Sequence, residues 1–315
     1  MAAASCSKEE FLALWEKHRG NAANIAKDLG VADDAAIFRR RRRIERTDGV
    51  ILKAGTKELI QKLKRKPRLE TQIKNGVAIV ASDCHYWPGD PTTAHRALLK
   101  FIREMRPHVV VMNGDVFDGA SISRWERIGW DSRPTVKQEI EACTERLTEI
   151  EDAAKGAERY WPLGNHCARF ETFLAKHAPQ FEGLKFTSLK DSFPKWKPCW
   201  RVDVNDTVIK HRFKGGIHAT HNNTMWAGKS IVTGHLHSLK VTPFTDYTGT
   251  RYGVDTGTLA EPEGEQFVDY TEDGPKNWRS GFAVLTYWNG KLLWPELVHV
   301  IEDGKVEFRG KVYDV

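Results

Sequence analysis

Three short apolar runs, VAIVAS (77–82), HVVVMNG (108–114) and YWPLGN (160–165), each end on or beside a carboxylate, an imidazole or a carboxamide. Between them lie TAHRALLKFIREM (93–105) and VKQEIEACTERLTEIEDAAK (136–155), whose apolar residues recur at helical spacing. Strand-length runs alternating with amphipathic helices predict an α/β fold with a mostly parallel first sheet. In such a sheet the loops leaving the strand carboxyl ends meet in one crevice, where ligands bind. Asp83 and His85, Asp115, and Asn165 and His166 are therefore expected to converge. His211 after DTVIK (206–210), and His235 and His237 after SIVT (230–233), follow the same rule. Taken alone, NGDVFD (113–118) reads as well as a solvated turn, and a single histidine at a strand end is more often a turn residue. Five strand ends carrying such groups together outweigh that reading. Oxygen and imidazole donors without thiolate spacing suit a divalent pair such as Mn, Fe, Zn or Ni.

Further on, WRVDVNDTVIKH (200–211), KSIVTGH (229–235) and the tail from 281 to 310 are strand-rich with Asn-Gly and Asp-Gly turns. Hairpins in a second sheet are expected there. VDYTEDGPKNWRSG (268–281) reads as a loop whose Asn277, Trp278 and Arg279 are candidates for the rim of the crevice.

No run of about 18 apolar residues is present to span a bilayer, and the N-terminus MAAASCSKEEFLALW lacks a secretory pattern. The missing apolar run argues for no membrane partner, and the five cysteines, scattered without CxxC spacing, point to reduced thiols in a cytoplasmic setting. The formal net charge of +6 is unevenly placed: residues 1–75 hold 18 Lys and Arg against 10 Asp and Glu, the remainder 30 against 32. A basic module on a near-neutral body predicts an anionic partner held by that module.

Ser7-Lys8-Glu9-Glu10 has the form of a capping box, so a helix should start there, with Phe11, Leu14 and Trp15 as its apolar stripe. Ala23, Ala26 and Leu29 can line a second helix, Gly30 permits a tight turn, and Val31, Ala35 and Ile37 or Phe38 can complete the core from a third. The order resembles a helix-turn-helix whose last helix carries Arg39, Arg40, Arg41, Arg42 and Arg43 toward phosphates or guanine edges. The alternative is a solvated basic helix or a small protein-interaction module. A second basic cluster, 62–68, is expected in a linker with some helix.

In the order DxH, GDxxD, GNH, H, GHxH, residues 77–240 resemble the calcineurin-like metallophosphoesterases. The resemblance implies an α/β, two-sheet αββα sandwich, expected over residues 76–315; the helix-turn-helix (1–47) and the linker (48–75) read from the residues above precede it. It implies that Asp83, His85 and His237 hold one metal, that Asn165, His211 and His235 hold another, and that Asp115 bridges them, with manganese the expected ion. His218 is the alternative to His211, because HRFKGGIHATHNN offers several histidines and His211 is followed by Arg212 where the family usually has glycine. Two such cations, about 3.5–4 Å apart, acidify a shared water and clamp an in-line displacement at phosphorus. His166 is then the general acid or charge stabiliser at the leaving oxygen, hydrogen-bonded by Asp118. Cys167 stands where the family often has an acid, and Arg169 is expected to orient this loop or a substrate phosphate.

Tyr86, Trp87, Arg124 and Trp125 flank the boxes, where they either stack bases or pack under a loop. A phosphoesterase body with such a module resembles enzymes encoded by bacteriophages and prophages. A metal-dependent phosphodiesterase acting on nucleic acid, DNA above all, is the expected function. The alternatives are a phosphatase or cyclic-nucleotide phosphodiesterase tethered to DNA, and a non-catalytic DNA-binding regulator on a phosphoesterase scaffold.

Overall fold

A computed structural model describes residues 6–52, 68–124, 130, 132–271 and 274–315. The basic cluster at 62–68, apart from Arg68, lies outside the described residues, as do the helix expected beside it and Trp125. The chain forms two compact units, Met1–Arg65 and Lys66–Val315. Among the described residues no helix is long and apolar enough to cross a membrane.

The first unit contains α1 (Lys8–Lys17), α2 (Ala22–Asp28) and α3 (Asp34–Asp48). At the start of α1, Glu10 N donates to Ser7 Oγ at 3.0 Å and Ser7 N donates to the Glu10 carboxylate at 2.7 Å, which completes the capping box. Asn21 and Asp33 cap the other two helices by the same chemistry. Phe11, Trp15, Ala22, Ile25, Ala26, Ile37 and Ile44 form the core. Ala23 and Ala35, expected inside, face solvent, and of the alternatives Ile37 and Phe38 it is Ile37 that enters the core. The branched side chain of Ile25 fills the space better than a methyl group, so α2 presents Ala22, Ile25 and Ala26 as its inner face.

The second unit runs β1 (Arg68–Thr71), β2 (Gly76–Ala81), α4 (Thr93–Met105), β3 (Val109–Met112), α5 (Val136–Ala153), β4 (Glu158–Pro162), α6 (Cys167–His177) and α7 (Leu189–Ser192). There follow β5 (Lys197–Cys199), β6 (Arg201–Val204), β7 (Thr207–Ile209), α8 (Ala219–Ala227), β8 (Ser230–Thr233), β9 (Lys240–Asp246), β10 (Gly249–Asp255) and α9 (Glu265–Thr271). The chain closes with β11 (Gly281–Trp288), β12 (Lys291–Leu292), β13 (Glu296–Glu302), β14 (Lys305–Phe308) and β15 (Lys311–Asp314).

One sheet has the order β15-β14-β13-β11-β2-β3-β4-β5, with β12 on β11; the other has the order β1-β6-β7-β8-β10-β9. Strand alternation builds both sides of the first sheet. Ala78, Val80, Val109 and Val111 meet Val202, Val204, Ile209 and Val232 of the second sheet. Ile79, Ala81, Val110 and Met112 face Leu98, Phe101 and Ile102 of α4 and Leu147 and Ile150 of α5. On the far side α8 lies so close to the second sheet that a Cβ at Gly253 would stand 2.0 Å from Thr220 O. The layers are therefore helix, sheet, sheet, helix.

Four expectations are corrected. The C-terminal hairpins join the first sheet, through β11 paired antiparallel with β2, Ala283 opposite Val80. The run GFAVLTY is apolar on both faces, which suits a central strand covered on both sides. The body also begins before residue 76, because β1 pairs parallel with β6, Leu69 opposite Val202. Residues 265–271, partly expected as loop, form α9. Finally, α8 lies in the HRFKGGIHATHNN region without an expected helix; its buried side chains are Ala219, Thr220, Asn223 and Thr224, too small and polar to mark an apolar stripe.

Candidate metal centre

The parallel strands β2 and β3 end side by side, Ala81 opposite Met112, and the polar boxes follow at once. Positive φ angles turn five of the donors out of their strands: Asp83 (53°), His85 (43°), Asp115 (47°), His235 (73°) and His237 (56°). This region is uncommon for residues with a Cβ, and its concentration at the carboxyl ends of β2, β3 and β8 singles out this end of the two sheets as a candidate site. Two glycines permit the approach. Gly114 has φ 88° and an added Cβ would stand 2.4 Å from His211 Nδ1; at Gly164 it would stand 2.0 Å from Asp115 Oδ1.

Asp83, His85 and His237 bring their ligating atoms together, and Asp115, His211 and His235 form a second cluster. Each buried aspartate is held by one oxygen and offers the other. Asp83 Oδ2 accepts from Ser82 Oγ and from His235 N at 2.8 Å, while Oδ1 faces His237 Nε2 at 3.1 Å. Asp115 Oδ1 accepts from His166 N at 2.8 Å, at the start of α6, while Oδ2 faces His211 Nε2 at 2.9 Å. His211 Nδ1 lies 2.7 Å from Asn113 O, so it carries the proton and Nε2 is left as the donor atom. His218 is exposed at the start of α8 and belongs to neither cluster, which favours His211.

Asp118 Oδ1 takes two imidazoles, His85 Nδ1 at 2.7 Å and His166 Nδ1 at 2.9 Å. His85 is thereby left with Nε2 for Asp83 and His237. Arg169 Nη1 donates to Asp118 O and Gly119 O at 3.0 and 3.2 Å, and its Nη2 lies 3.4 Å from His166 Nε2. Arg169 thus orients the loop that the acidic residue expected after the GNH box would otherwise tie. Burial pushes the Cys167 thiol in that place up to about 11, which keeps it protonated.

Burial disfavours charge on Asp83, Asp115 and Asp118, yet the surrounding imidazoles hold all three carboxyls below the ordinary range. Burial likewise favours a neutral His211, but Asp115 and Asp83 outweigh it and push the ring up to about 9. Burial also opposes protonation of His166, and Asp118 and Asp115 reverse that preference, raising its pKa. The pocket demands positive charge. His211 Nε2 and Asn165 Oδ1 are buried without a hydrogen-bond partner, although His211 Nε2 is close to Asp115 in an unfavourable alignment. Lone pairs left unmet beside buried carboxylates fit divalent cations of the imidazole- and oxygen-binding kind.

A cleft of about 1040 Å³ opens over this centre. Trp87, Arg124, Arg169 and Trp278 line it, as do Arg133, Lys176, Arg212 and Phe267, which the sequence reading did not single out. Phe267 packs edge-on to His85 at 5.2 Å between centroids and tilted against His237 at 5.7 Å; it stands just before the stretch read as loop, and no spacing in the sequence marked it. Tyr86 is not in the cleft. It is buried, and its hydroxyl lies 2.8 Å from His95 Nδ1, so it packs and does not stack on substrate.

The arginine run divides as well. Arg40 donates to Cys6 O and Ser7 O and lies over Phe11, while Arg41 donates to Glu45 at 2.9 Å and lies over Trp15. Both serve the packing of the helical unit, a correction to the expectation of five outward arginines. Arg39, Arg42, Arg43 and Arg46 surround a shallow depression on the exposed face of α3.

Residues 77–255 match the calcineurin-like phosphoesterase family model, more than half of the chain, and the chain belongs to that family. Its two-sheet sandwich is the metallophosphoesterase fold, and membership makes it a metal-dependent phosphoester hydrolase of a family that generally binds two divalent metals. Gene 54 protein of Mycobacterium phage L5 is 28% identical over 267 residues, 75% of this chain and 98% of that protein. Gene 54 protein of Mycobacterium phage D29 is 28% identical over the same shares. A single-substitution mutant of Vps29 from Entamoeba histolytica overlaps 76% of this chain and 99% of its own, at 14% identity and a TM-score of 0.39.

Proposed function

We propose that the chain is a phosphodiesterase that hydrolyses nucleic acid, DNA above all, with Asp83, His85 and His237 holding one divalent ion, Asn165, His211 and His235 another, and Asp115 shared. The observation that carries the substrate class is the cleft: about 1040 Å³, open, and walled by Arg124, Arg133, Arg169, Lys176 and Arg212. A lone phosphate needs far less room and fewer cations. The exposed arginines of α3 on the same chain support a polyanionic partner.

Bound divalent ions, manganese first, would supply an acidified water and stabilise charge at phosphorus. The protein's own residues do the rest. Asp118 accepts at His166 Nδ1, which leaves Nε2 to hold the proton destined for the leaving oxygen. Arg169, 3.4 Å from Nε2, favours release of that proton and compensates charge on the departing group. Phe267 and Trp278 exclude water beside His237, the two rings 5.0 Å apart.

The test is hydrolysis of labelled single- and double-stranded DNA, beside bis-p-nitrophenyl phosphate, by manganese-loaded protein. Asp115→Asn and EDTA-treated samples serve as controls. DNA cleavage lost in both controls is the expected result. Turnover of the small diester with none of DNA would refute the nuclease and leave a phosphatase or cyclic-nucleotide activity to be sought.

A further inference from the structure

We propose that the outer face of α6 is a binding track for a single strand of nucleic acid on the leaving-group side of the scissile phosphate, with Phe173 and His177 stacking on a base. The proposal rests on the nucleic-acid reading above and deepens it.

Helix α6 begins one residue after His166, the candidate leaving-group acid, so it departs from the reaction centre on that side. Arg169, Thr172, Phe173, Lys176 and His177 stand at i, i+3, i+4, i+7 and i+8, a single stripe, and all five line the cleft that contains Asp83 and Asp115. The fold does not need this stripe for its core. Cys167 and Phe170 form the buried face of the helix, with Leu174 packed beside them. Phe173 is 37% exposed, a large ring facing water, and its centroid lies 4.6 Å from that of His177 with 37° between planes. An exposed aromatic pair at (i, i+4), flanked by cations, is the arrangement that single-strand binders use to hold bases by their faces and phosphates by their charge.

The charges agree with that occupant. Lys176 has no carboxylate partner among the described residues, and Arg169 presents a guanidinium at the near end. Glu171 accepts from Ser188 Oγ at 2.6 Å, outside the stripe. Seven helical steps separate Arg169 from Lys176, about 10 Å. That is about three times the roughly 3.4 Å rise per nucleotide of a stacked strand, so even a strand stretched to twice that rise puts the phosphate at Lys176 on a later nucleotide than the one beside Arg169. A duplex keeps its base faces covered; only an unstacked strand can reach the Phe173–His177 pair.

The test uses full-length, manganese-loaded protein and oligonucleotides lengthened one nucleotide at a time on the leaving-group side or on the opposite side. For each, kcat/KM is divided by that of the corresponding dinucleotide, a ratio that cancels damage common to all substrates. Wild-type protein should gain with each of the first leaving-side additions and not with the others. Phe173→Ala and Lys176→Ala should each reduce that gain about tenfold. A 2-aminopurine in the added stretch should be quenched on binding to Asp115→Asn protein, and not when Phe173→Leu is added. Gain that survives in both variants, or gain from the opposite side, overturns the track while leaving the nuclease standing. Absence of DNA hydrolysis with the small diester turned over refutes the nuclease itself, and the track with it.

Discussion

Asp118 is the residue on which the proposed chemistry turns, because one carboxylate oxygen orients both His85 and His166. Asp118→Asn replaces half of that acceptor by a donor, and the two rings lose their common anchor. The expected outcome is a loss of about 10–100-fold in both manganese affinity and kcat, measured by titration calorimetry and steady-state hydrolysis. Unchanged affinity with a reduced kcat would confine its action to His166. Gly164 tests the geometry from another direction. An alanine there would set Cβ 2.0 Å from Asp115 Oδ1, so Gly164→Ala should lose bound metal on dialysis while far-UV circular dichroism stays close to that of the parent.

Between elements, His95 links three segments: its Nδ1 meets Tyr86 Oη at 2.8 Å and its Nε2 meets Glu149 at 2.8 Å, across α4 and α5. Burial favours the neutral ring and carries it down to about 4, although Glu149 pulls the other way. The unfolded chain, with an ordinary histidine near 6.5, therefore binds more protons than the fold between those two values. The contribution is complete above about pH 6.5 and is lost as the pH falls through about 4. Urea unfolding at pH 7, 5.5 and 4.5 should show a stability loss that His95→Gln reduces by one to a few kcal/mol, on the order set by the shift. An identical acid slope in the variant would remove His95 from the account.

At the scale of the whole molecule the two compact units concentrate charge in different ways: a buried centre of carboxylates and imidazoles with its cleft in one, exposed arginines in the other. Binding of double-stranded DNA by EDTA-treated protein should persist and weaken steeply with salt. Arg42→Ala, Arg43→Ala and Arg46→Ala combined should reduce the log-log salt slope by about 2–3, since each phosphate contact contributes roughly 0.9. Arg40→Ala and Arg41→Ala should instead lower the melting temperature of the helical unit, because both guanidiniums lie over core aromatics at 5.2 Å. A slope equally sensitive to all five substitutions would show that the outward and inward arginines do not differ in role.

The polar boxes were legible in the chain because each follows a buried run directly, so its backbone position is set by local order. Asp83, His85, Asp115, Asn165, His166, His211, His235 and His237 needed only the rule that strand ends meet, together with the family resemblance. The capping box at Ser7 was legible for the same local reason. What depended on through-space packing was not. β11 is chosen as a neighbour of β2 by apolar faces more than 190 residues apart in sequence, and nothing within its own stretch names that partner. Arg40 and Arg41 differ from Arg42 and Arg43 only by the helical angle at which α3 meets Phe11 and Trp15. Tyr86 left the candidate site because His95 stood beneath it, and Phe173, Lys176 and His177 entered because α6 starts where Asp115 caps it. Local order determined which groups could bear the chemistry; only the tertiary structure decided which side chains face the cleft, because facing is a relation between elements and one element's sequence holds half of it.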